Sequence, residues 1–435
     1  MSIDRRTFLY SSAIAAGAGL TANAAALSPA ADVAEQATAP GGPFSHLKPM
    51  TAGITRIDVE DRKARVEKAR RLMVENKIDA IILDSGTSLV YFTGISWWAS
   101  ERAFVAILPA RGEVAYVCPK FEEGRARELV TIGSDVRTWE EHESPFRLIA
   151  QVLKDRGASR IGIEEYARFF VFDGLRQASP ALQVVSASPV TIGCRVIKTP
   201  KEIALMQRAM NITIEAYRAV IPLLKPGMTS EQFSALASAA HRALGAEGSI
   251  GATFGEATAS PHGSVKRRPI REGDIVLMDG GCNVDGYRSD ISRTVVVGTP
   301  TKRQREIWDL VKRGQAAAFA AAKLGAACED VDAAPRKVYA EFGFGPDYKL
   351  PGLPHRTGHG IGMDGHEWTN FVRGNKTKLA PGMCFSNEPM VVVPGEFGVR
   401  IEDCIYMTEQ GARWFTTPSP AIDKPVALGR PAGRP

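Results

Sequence analysis

The sequence has few cysteines, and they form neither a C-x-x-C pair nor a zinc-finger spacing. The six are scattered over 435 residues: Cys118, Cys194, Cys282, Cys328, Cys384 and Cys404. This scatter excludes a structural zinc ribbon and does not indicate a disulfide framework. Because three of the six lie in segments that resemble buried strands, we predict free thiols inside the protein.

Long apolar runs and dense clusters of one charge are also lacking. Hydrophobic residues make up 44% of the chain, charged residues make up 23%, and the formal net charge is +6. Such a composition is typical of globular proteins and argues against a disordered or membrane-embedded chain. The basic run Lys266-Arg267-Arg268 is too short for a phosphate-binding patch, so we expect no nucleic-acid partner.

The N-terminus resembles an export signal. Arg5-Arg6 is followed by an Ala/Gly-rich run over 13–26 that contains the A-x-A site Ala22-Asn23-Ala24. We predict a twin-arginine signal peptide over 1–24 and a periplasmic or secreted protein. The run is too short for a permanent membrane span, so we expect no stable membrane anchor. The alternative is a disordered tail that happens to contain two arginines.

The rest of the chain divides by its helical and strand patterns. Residues 25–49, rich in Ala and Pro, are expected to form a flexible leader. Helices over 56–76 and 145–155 alternate with strand-like runs and predict an α/β domain over 50–194. The predicted strands of this domain are 80–83, 89–92, 103–108, 114–118 and 160–164. Helices alternating with strand pairs then predict an α+β domain over 195–417, followed by a tail over 418–435.

The stretch DGGCNVDGYRSDISR, residues 279–293, carries the first chemical signal. Two strand-like runs flank Asp285-Gly286, a dipeptide that favours a tight hairpin turn. A loop of residues 284–285 would put Asp279 opposite Asp290, whereas a loop of Asp285-Gly286 would make them diagonal neighbours. In either register two carboxylates share one face of buried strands, which is costly unless a proton or cation lies between them.

Two later segments offer further ligands. His359 lies among glycines in GHGIG, with His355 and His366 close by in sequence. Gly395 lies midway between Glu388 and Glu402, so an odd-length loop centred there would place the two glutamates opposite each other. Four carboxylates and one imidazole suit hard divalent ions, with Mn²⁺ preferred and Co²⁺ or Zn²⁺ as alternatives. This number of carboxylates implies two ions that share a water or hydroxide.

Residues 195–417 resemble the pita-bread metallohydrolases, which include methionine aminopeptidase, aminopeptidase P and prolidase. The resemblance rests on D-x(10)-D at Asp279 and Asp290, GHGIG at His359, NEP at Glu388 and RIED at Glu402. The preceding domain is similar to the N-terminal domain of prolidase, aminopeptidase P and creatinase. The resemblance therefore implies an α/β N-terminal domain, a pita-bread catalytic domain and cleavage before proline in peptides.

The resemblance also implies roles for individual residues. Asp279, Asp290, His359, Glu388 and Glu402 would ligate two metals, with Asp290 and Glu402 touching both. Glu388 would also move a proton during attack on the scissile carbonyl. His262 would stabilise the tetrahedral intermediate or leaving amine, His366 would contact the substrate carbonyl and His355 would line the proline pocket. Arg373 is a candidate for the substrate carboxylate, and a homodimer is expected.

One departure from the family pattern leaves other functions open. Val392 stands where prolidases and aminopeptidases P have a tyrosine that assists proton transfer. We therefore predict an Xaa-Pro dipeptidase or aminopeptidase and keep a sulfoniopropionate lyase, or another enzyme that cleaves C–N or C–S bonds, as the alternative. Metal-free creatinase chemistry and an inactive peptide-binding module are disfavoured because all five ligands are present.

Overall fold

The computed structural model describes residues 29–261, 263–265 and 267–427. The first helix, α1 (Pro29–Thr38), falls in the segment expected to be a flexible leader. Ala34 and Ala37 of this helix and Phe44 after it are buried in the same apolar core as Leu236 and Ala240. The prediction of flexibility was wrong for α1, because alanine is a strong helix former and these small side chains pack closely.

The N-terminal domain is a six-stranded sheet with helices around it, so the predicted α/β class is confirmed. The strand order is β4-β3-β2-β1-β5-β6, with β2 antiparallel to both β1 and β3. Its strands are β1 (Ala80–Leu83), β2 (Val105–Pro109), β3 (Ala115–Pro119), β4 (Asp135–Trp139), β5 (Arg160–Ile163) and β6 (Gln183–Ser186). Its helices are α2 (Val59–Glu75), α3 (Thr87–Thr93), α4 (Glu123–Leu129), α5 (Pro145–Asp155), α6 (Phe169–Ala178) and α7 (Ser188–Arg195).

Helix α3 corrects one strand prediction. The run 89–92 was expected to be a strand, yet it lies inside this short helix, which ends at Gly94 with φ 80°. Leu89, Tyr91 and Phe92 are buried, as are the polar residues Ser88 and Thr93, so the helix has no polar face that is open to solvent. A short run that is mostly buried carries no periodicity that separates a helix from a strand.

The second domain repeats a pattern of two helices followed by a sheet. Its helices are α8 (Pro200–Val220), α9 (Ser230–Ala243), α10 (Lys302–Ala321) and α11 (Cys328–Glu341). The first sheet contains β7 (Glu247–Phe254), β8 (Ile275–Val284), β9 (Tyr287–Arg288) and β10 (Ile291–Val296). The second half contains β11 (Gly358–Gly360), β12 (Glu367–Phe371), β13 (Cys384–Asn387), β14 (Met390–Val393), β15 (Phe397–Arg400), β16 (Asp403–Thr408) and β17 (Gly411–Trp414). Short 3₁₀ turns cover Lys120–Glu122, Ile221–Leu223 and Gly255–Ala259. Capping boxes at Thr199, Thr229 and Thr301 start α8, α9 and α10.

All six cysteines are buried free thiols, as the sequence predicted. Within the part of the chain that the structure describes, none of the helices combines the length and apolarity that a bilayer crossing needs.

A buried ionic cluster joins the two domains. Arg65 of α2 is 7% exposed and donates to Glu202 of α8 at 3.0 Å and to the Tyr287 hydroxyl at 2.7 Å. Tyr287 in turn donates to Glu202 at 2.6 Å. Because Tyr287 lies in β9, directly after the turn that follows β8, this cluster fixes the first sheet against the N-terminal domain.

We expect Arg65→Ala to lower the free energy of unfolding by about 3–5 kcal/mol, since it leaves Glu202 buried without its cation. The matched control is Lys63→Ala on the same helix, whose partner Glu60 is 78% exposed. This control is expected to cost less than about 1 kcal/mol. Chemical denaturation followed by tryptophan fluorescence measures both, and equal small effects would show that the buried cluster does not hold the domains together.

Candidate metal centre

Two aspartates share one face of the hairpin formed by β8, β9 and β10, which we call the aspartate hairpin (275–296). Its loop is Asp285-Gly286, with φ values of 51° and 89°, as a type I′ turn requires. Asp279 pairs with Ser292. Asp290 lies two residues before Ser292, so its side chain points to the same face and is the diagonal neighbour of Asp279. The structure therefore has the second of the two registers that the sequence left open.

Two glutamates face each other in the hairpin over 384–408, which we call the glutamate hairpin. Val393 pairs with Phe397 on one side of Glu388 and Glu402, and Asn387 pairs with Asp403 on the other. Both pairs are centred on Gly395, which has φ 75°. The predicted odd-length loop is confirmed, and the two glutamates lie opposite each other where the strand pairing passes from one sheet to the next.

His359 lies on β11 between two glycines that allow neighbouring strands to approach. A Cβ at Gly358 would lie 2.1 Å from the Ser386 carbonyl oxygen, so only glycine fits there. The His359 Nδ1–H group donates to the Gly360 carbonyl at 3.0 Å. This leaves Nε2 directed at Glu388 Oε1, 3.1 Å away, and Asp290 Oδ2, 3.8 Å away.

The five predicted ligands converge. Ligand atoms of His359, Glu388 and Glu402 lie within 4.8 Å of one another, and the same holds for Asp279, Asp290 and Glu402. Glu402 therefore belongs to both groups, as a residue shared by two ions would. Its Oε1 atom is buried and has no hydrogen-bond partner. A buried carboxylate oxygen without a hydrogen-bond partner, surrounded by the other four metal-ligating residues, fits a site for two divalent cations.

The electrostatics of the cluster are unfavourable without cations. Burial and then the neighbouring Asp279 carboxylate raise the pKa of Asp290 to about 8. Burial and then Asp290 raise the pKa of Glu402 well above its usual value. Burial is the largest single influence on His359 and lowers its pKa, but the hydrogen bond to Glu388 together with the charges of Glu388 and Asp290 outweighs burial, so the pKa of His359 is raised. The cluster therefore favours species of positive charge, either protons or metal ions.

Two residues that the sequence did not single out support the ligands. Arg400 is 4% exposed and contacts Asp279 Oδ2 at 2.6 Å. The Ser292 hydroxyl accepts from Arg400 Nε at 3.0 Å and lies 2.7 Å from Glu402 Oε2 and 2.9 Å from Asp279 Oδ1. Arg400 stands two residues before Glu402 in the motif VRIED, and this proximity was the signal that could have identified it.

Two of the other predicted site residues, His366 and His355, are held by Arg356 beside the metal ligands. The His366 ring is 3.9 Å from the His359 ring, and its Nδ1 accepts from Arg356 at 2.9 Å. Burial and then His359 lower the pKa of His366 to about 4. His355 donates through Nδ1 to the Arg356 carbonyl at 2.6 Å, while its Nε2 is buried without a partner. Both imidazoles are therefore neutral at pH 7.

Three sequence expectations concern residues away from these contacts. Arg373 is exposed and pairs with Asp347, and its guanidinium lies over the Tyr348 ring. None of these partners belongs to the cluster of predicted ligands. Val392 is 2% exposed in an aliphatic cluster, and its backbone pairs with Gly352. His262 lies outside the described residues.

Five converging ligands of this kind define the site of a metal-dependent enzyme. The family model for metallopeptidase family M24 matches residues 204–409, and the Creatinase/Prolidase N-terminal domain matches residues 65–197. The chain belongs to metallopeptidase family M24, in the form that carries this additional N-terminal domain.

Individual relatives agree with this assignment. The chain is 31% identical to a Xaa-Pro dipeptidase from Pyrococcus furiosus, over 81% of this chain and 98% of that protein. It is 34% identical to an uncharacterized peptidase of Schizosaccharomyces pombe, over 84% of this chain and 83% of that protein. The crystal structure of a prolidase from Thermococcus sibiricus superposes with a TM-score of 0.76 at 29% identity, covering 82% of this chain and 97% of that one.

The raised pKa of Asp290 predicts how the metal-free protein responds to pH. In the unfolded chain an aspartate titrates near 3.9, so the folded protein binds the extra proton between that pH and about 8. The stabilisation that this extra proton gives the folded state is complete below the pKa of Asp290 in the unfolded chain. It is lost as the pH rises through the pKa of Asp290 in the folded protein, about 8. We expect the Tm of chelator-treated protein to fall between pH 5 and pH 8.

The Tm of metal-loaded protein should change less with pH, because bound cations replace the protons in the cluster. Asp290→Asn keeps the shape and removes the titrating group, so it should reduce the slope in the metal-free state. Differential scanning calorimetry over this range measures each curve, and a Tm of chelator-treated protein that rises with pH would contradict the assignment.

Proposed function

We propose that this metallopeptidase hydrolyses the bond before proline, in Xaa-Pro dipeptides or at the N-terminus of longer peptides. The observation that carries the proposal is the complete set of five ligands with two neutral histidines beside it. The names of the relatives, a Xaa-Pro dipeptidase and a prolidase, support the same substrate class. The retained lyase alternative has no such support among these relatives.

The five metal-ligating residues indicate which kind of metal ion the site would bind. We propose that Asp279, Asp290, His359, Glu388 and Glu402 hold two divalent ions, with Asp290 and Glu402 shared. When bound, the two ions would polarise the scissile carbonyl and activate a water. Carboxylates outnumber imidazole in the set, which favours Mn²⁺, with Co²⁺ and Zn²⁺ as alternatives.

The protein's own groups supply proton transfer and orientation. Glu388 is held by His359 and by the Ser386 hydroxyl at 3.2 Å, and it is the group we propose to carry the proton from water to the leaving amine. His366 accepts at Nδ1, so its proton is on Nε2, where it can donate to the substrate carbonyl. We assign His355 to the wall of the proline pocket and His262 to the leaving amine.

Arg400 and the Ser292 hydroxyl contact Asp279 directly, at 2.6 Å and 2.9 Å. We propose that these two contacts orient Asp279 and that Val392, in place of the family tyrosine, supplies only packing. Proton transfer then depends on Glu388 alone, because a valine side chain has no group that can donate or accept.

The activity is tested with Mn²⁺-loaded protein on Ala-Pro, on Ala-Pro-Ala and on a sulfoniopropionate. We expect proline release from the first or cleavage before proline in the second. Asp290→Ala should lower kcat/KM by more than about 100-fold, since loss of groups that only support metal ligands costs about 10–100-fold. Asp423→Ala, which removes only a surface pair with Arg305, is the control. Elimination from the sulfonium compound without peptide cleavage would replace the proposal with the lyase.

We also propose export through the twin-arginine signal over 1–24, which lies outside the described residues. Replacing Arg5-Arg6 by Lys-Lys should keep the full-length protein in the cytoplasm, because the export machinery recognises the arginine pair. Cell fractionation with an antibody measures the distribution, and unchanged periplasmic protein would reject the signal. The homodimer also stays a prediction, which light scattering of the purified protein checks.

A further inference from the structure

The strand that carries Asp290 is interrupted at this ligand. β9 ends at Arg288 and β10 begins at Ile291, so Ser289 and Asp290 lie in a gap between two paired segments. Successive side chains of an extended strand point to opposite faces of a sheet. Because Asp290 faces the other metal-ligating residues, the side chain of Ser289 faces the opposite way, toward helix α8. At this gap, side chains supply part of the support that strand pairing gives elsewhere.

A chain of hydrogen bonds runs from the gap into the helices behind the sheet. The Cys282 N–H donates to the Ser289 hydroxyl at 2.8 Å, and the hydroxyl oxygens of Ser289 and Thr213 of α8 lie 2.8 Å apart. Thr213 Oγ1 in turn lies 3.4 Å from Nε2 of His241 on α9. All four residues are buried, so this chain connects the backbone beside Asp290 with two helices.

His241 sets the direction of the chain. Its Nδ1–H donates to the Ala237 carbonyl at 2.8 Å, because a carbonyl oxygen can only accept. Burial lowers the pKa of His241, so the ring is neutral and Nε2 is an acceptor. Thr213 therefore donates to His241 and accepts from Ser289, while Ser289 accepts from Cys282. This arrangement gives each hydroxyl both a donor and an acceptor, and so restrains the Ser289 side chain.

A second residue of α8 holds the other side of Asp290. The Tyr217 hydroxyl donates to the Ile291 carbonyl at 2.6 Å, and Tyr217 is fully buried. Thr213 and Tyr217 are four residues apart, so they lie on one face of the helix. We call these two residues the α8 hydroxyl pair. They contact the residues immediately before and after Asp290.

The glutamate hairpin provides a further contact to the same backbone. Cys404, which is fully buried, donates from Sγ to the Asp290 carbonyl at 3.2 Å. A thiol is a weak donor, so the hydroxyls of the α8 pair make the stronger contacts. The backbone around Asp290 is therefore held by α8 on one side and by β16 on the other.

We propose that the α8 hydroxyl pair positions Asp290, and so fixes the carboxylate that the two metal ions share. The inference rests on the proposed function, because it takes Asp290 to be a shared ligand. Thr213 and Tyr217 are positioning residues, since they contact Ser289 and Ile291 and act on the ligand through the backbone. Loss of a group that orients a metal ligand commonly lowers metal affinity by about 10–100-fold.

The α8 hydroxyl pair lies away from the two cavities beside the metal centre. One cavity, of about 480 Å³, lies between the two domains and is lined by residues that include Arg195 and His366. The other, of about 890 Å³, lies on the Asp279 side. Among the described residues that line these two cavities, none belongs to α8. We therefore expect the pair to affect kcat rather than KM.

The test measures Mn²⁺ binding to metal-free protein by isothermal titration calorimetry, without any peptide. Tyr217→Phe removes one hydroxyl and keeps the ring, and Thr213→Val removes the other and keeps the shape. Each should weaken Mn²⁺ binding by about 10–100-fold, because Asp290 is no longer held in place. Thr213→Ser retains a hydroxyl and should keep the affinity of the wild type.

The matched control is Tyr116→Phe in the N-terminal domain. Tyr116 is also fully buried, and its hydroxyl donates to the Ile132 carbonyl at 2.7 Å. The control therefore loses the same kind of hydrogen bond far along the chain from the ligands, and it should bind Mn²⁺ as the wild type does. Far-UV circular dichroism establishes that each variant is folded.

The outcomes separate the inference from the function beneath it. Wild-type affinity in both Tyr217→Phe and Thr213→Val, or an equal loss in Tyr116→Phe, would overturn the inference and leave cleavage before proline standing. With Ala-Pro and saturating Mn²⁺, a loss in KM alone would also contradict it. Wild-type protein that binds Mn²⁺ but cleaves neither Ala-Pro nor Ala-Pro-Ala would reject the proposed function and leave the inference standing.

Discussion

The mutual repulsion of four carboxylates is the constraint on which the rest of the catalytic domain depends. Asp279, Asp290, Glu388 and Glu402 come from two hairpins that are far apart in sequence, over 275–296 and 384–408, and each pair is brought together by a turn of fixed length. Placing like charges in a space of low dielectric constant is costly, so the surrounding structure must hold them rigidly. Asp279 lies on β8, and the other three carboxylates lie directly beside strand ends, where the adjoining paired strands restrict the backbone more than a free loop would.

The two hairpins are joined by a second charge interaction behind the ligands. Arg293 and Asp403 are fully buried and form an ion pair at 2.7 Å. Arg293 also donates to the Glu402 carbonyl at 2.7 Å, and Gln315 of α10 donates to Asp403 at 3.1 Å. The Glu402 N–H donates to the Ser292 carbonyl at 3.1 Å, and Arg293 Nη1 donates to the carbonyls of both residues, so these contacts fix the position of Glu402 relative to Ser292.

Sequence reasoning worked where the determinants are local. The Asp285-Gly286 turn and the midpoint at Gly395 specify both hairpins, because turn chemistry and strand alternation are short-range properties. It failed where contacts between distant residues decide the outcome. The motif VRIED places Arg400 near Glu402, but spacing along the chain does not show that its partner is Asp279, and the contact of Arg356 with His366 does not follow from spacing either. Helix α3 shows that a short, mostly buried run lacks the periodicity on which assignment relies.

The cluster of Arg65, Glu202 and Tyr287 sets how the cavity between the domains can behave. The Arg65 guanidinium contacts both domains. Besides its bonds to Glu202 and Tyr287 of the second domain, it donates to the Tyr91 carbonyl of the N-terminal domain at 2.8 Å and lies over the Tyr91 ring at 4.0 Å. These contacts attach the N-terminal domain to the aspartate hairpin beside its turn, next to the cavity that residues of both domains line. Moving the two domains apart would break the buried Arg65–Glu202 ion pair, so this contact opposes a motion that widens the cavity between them.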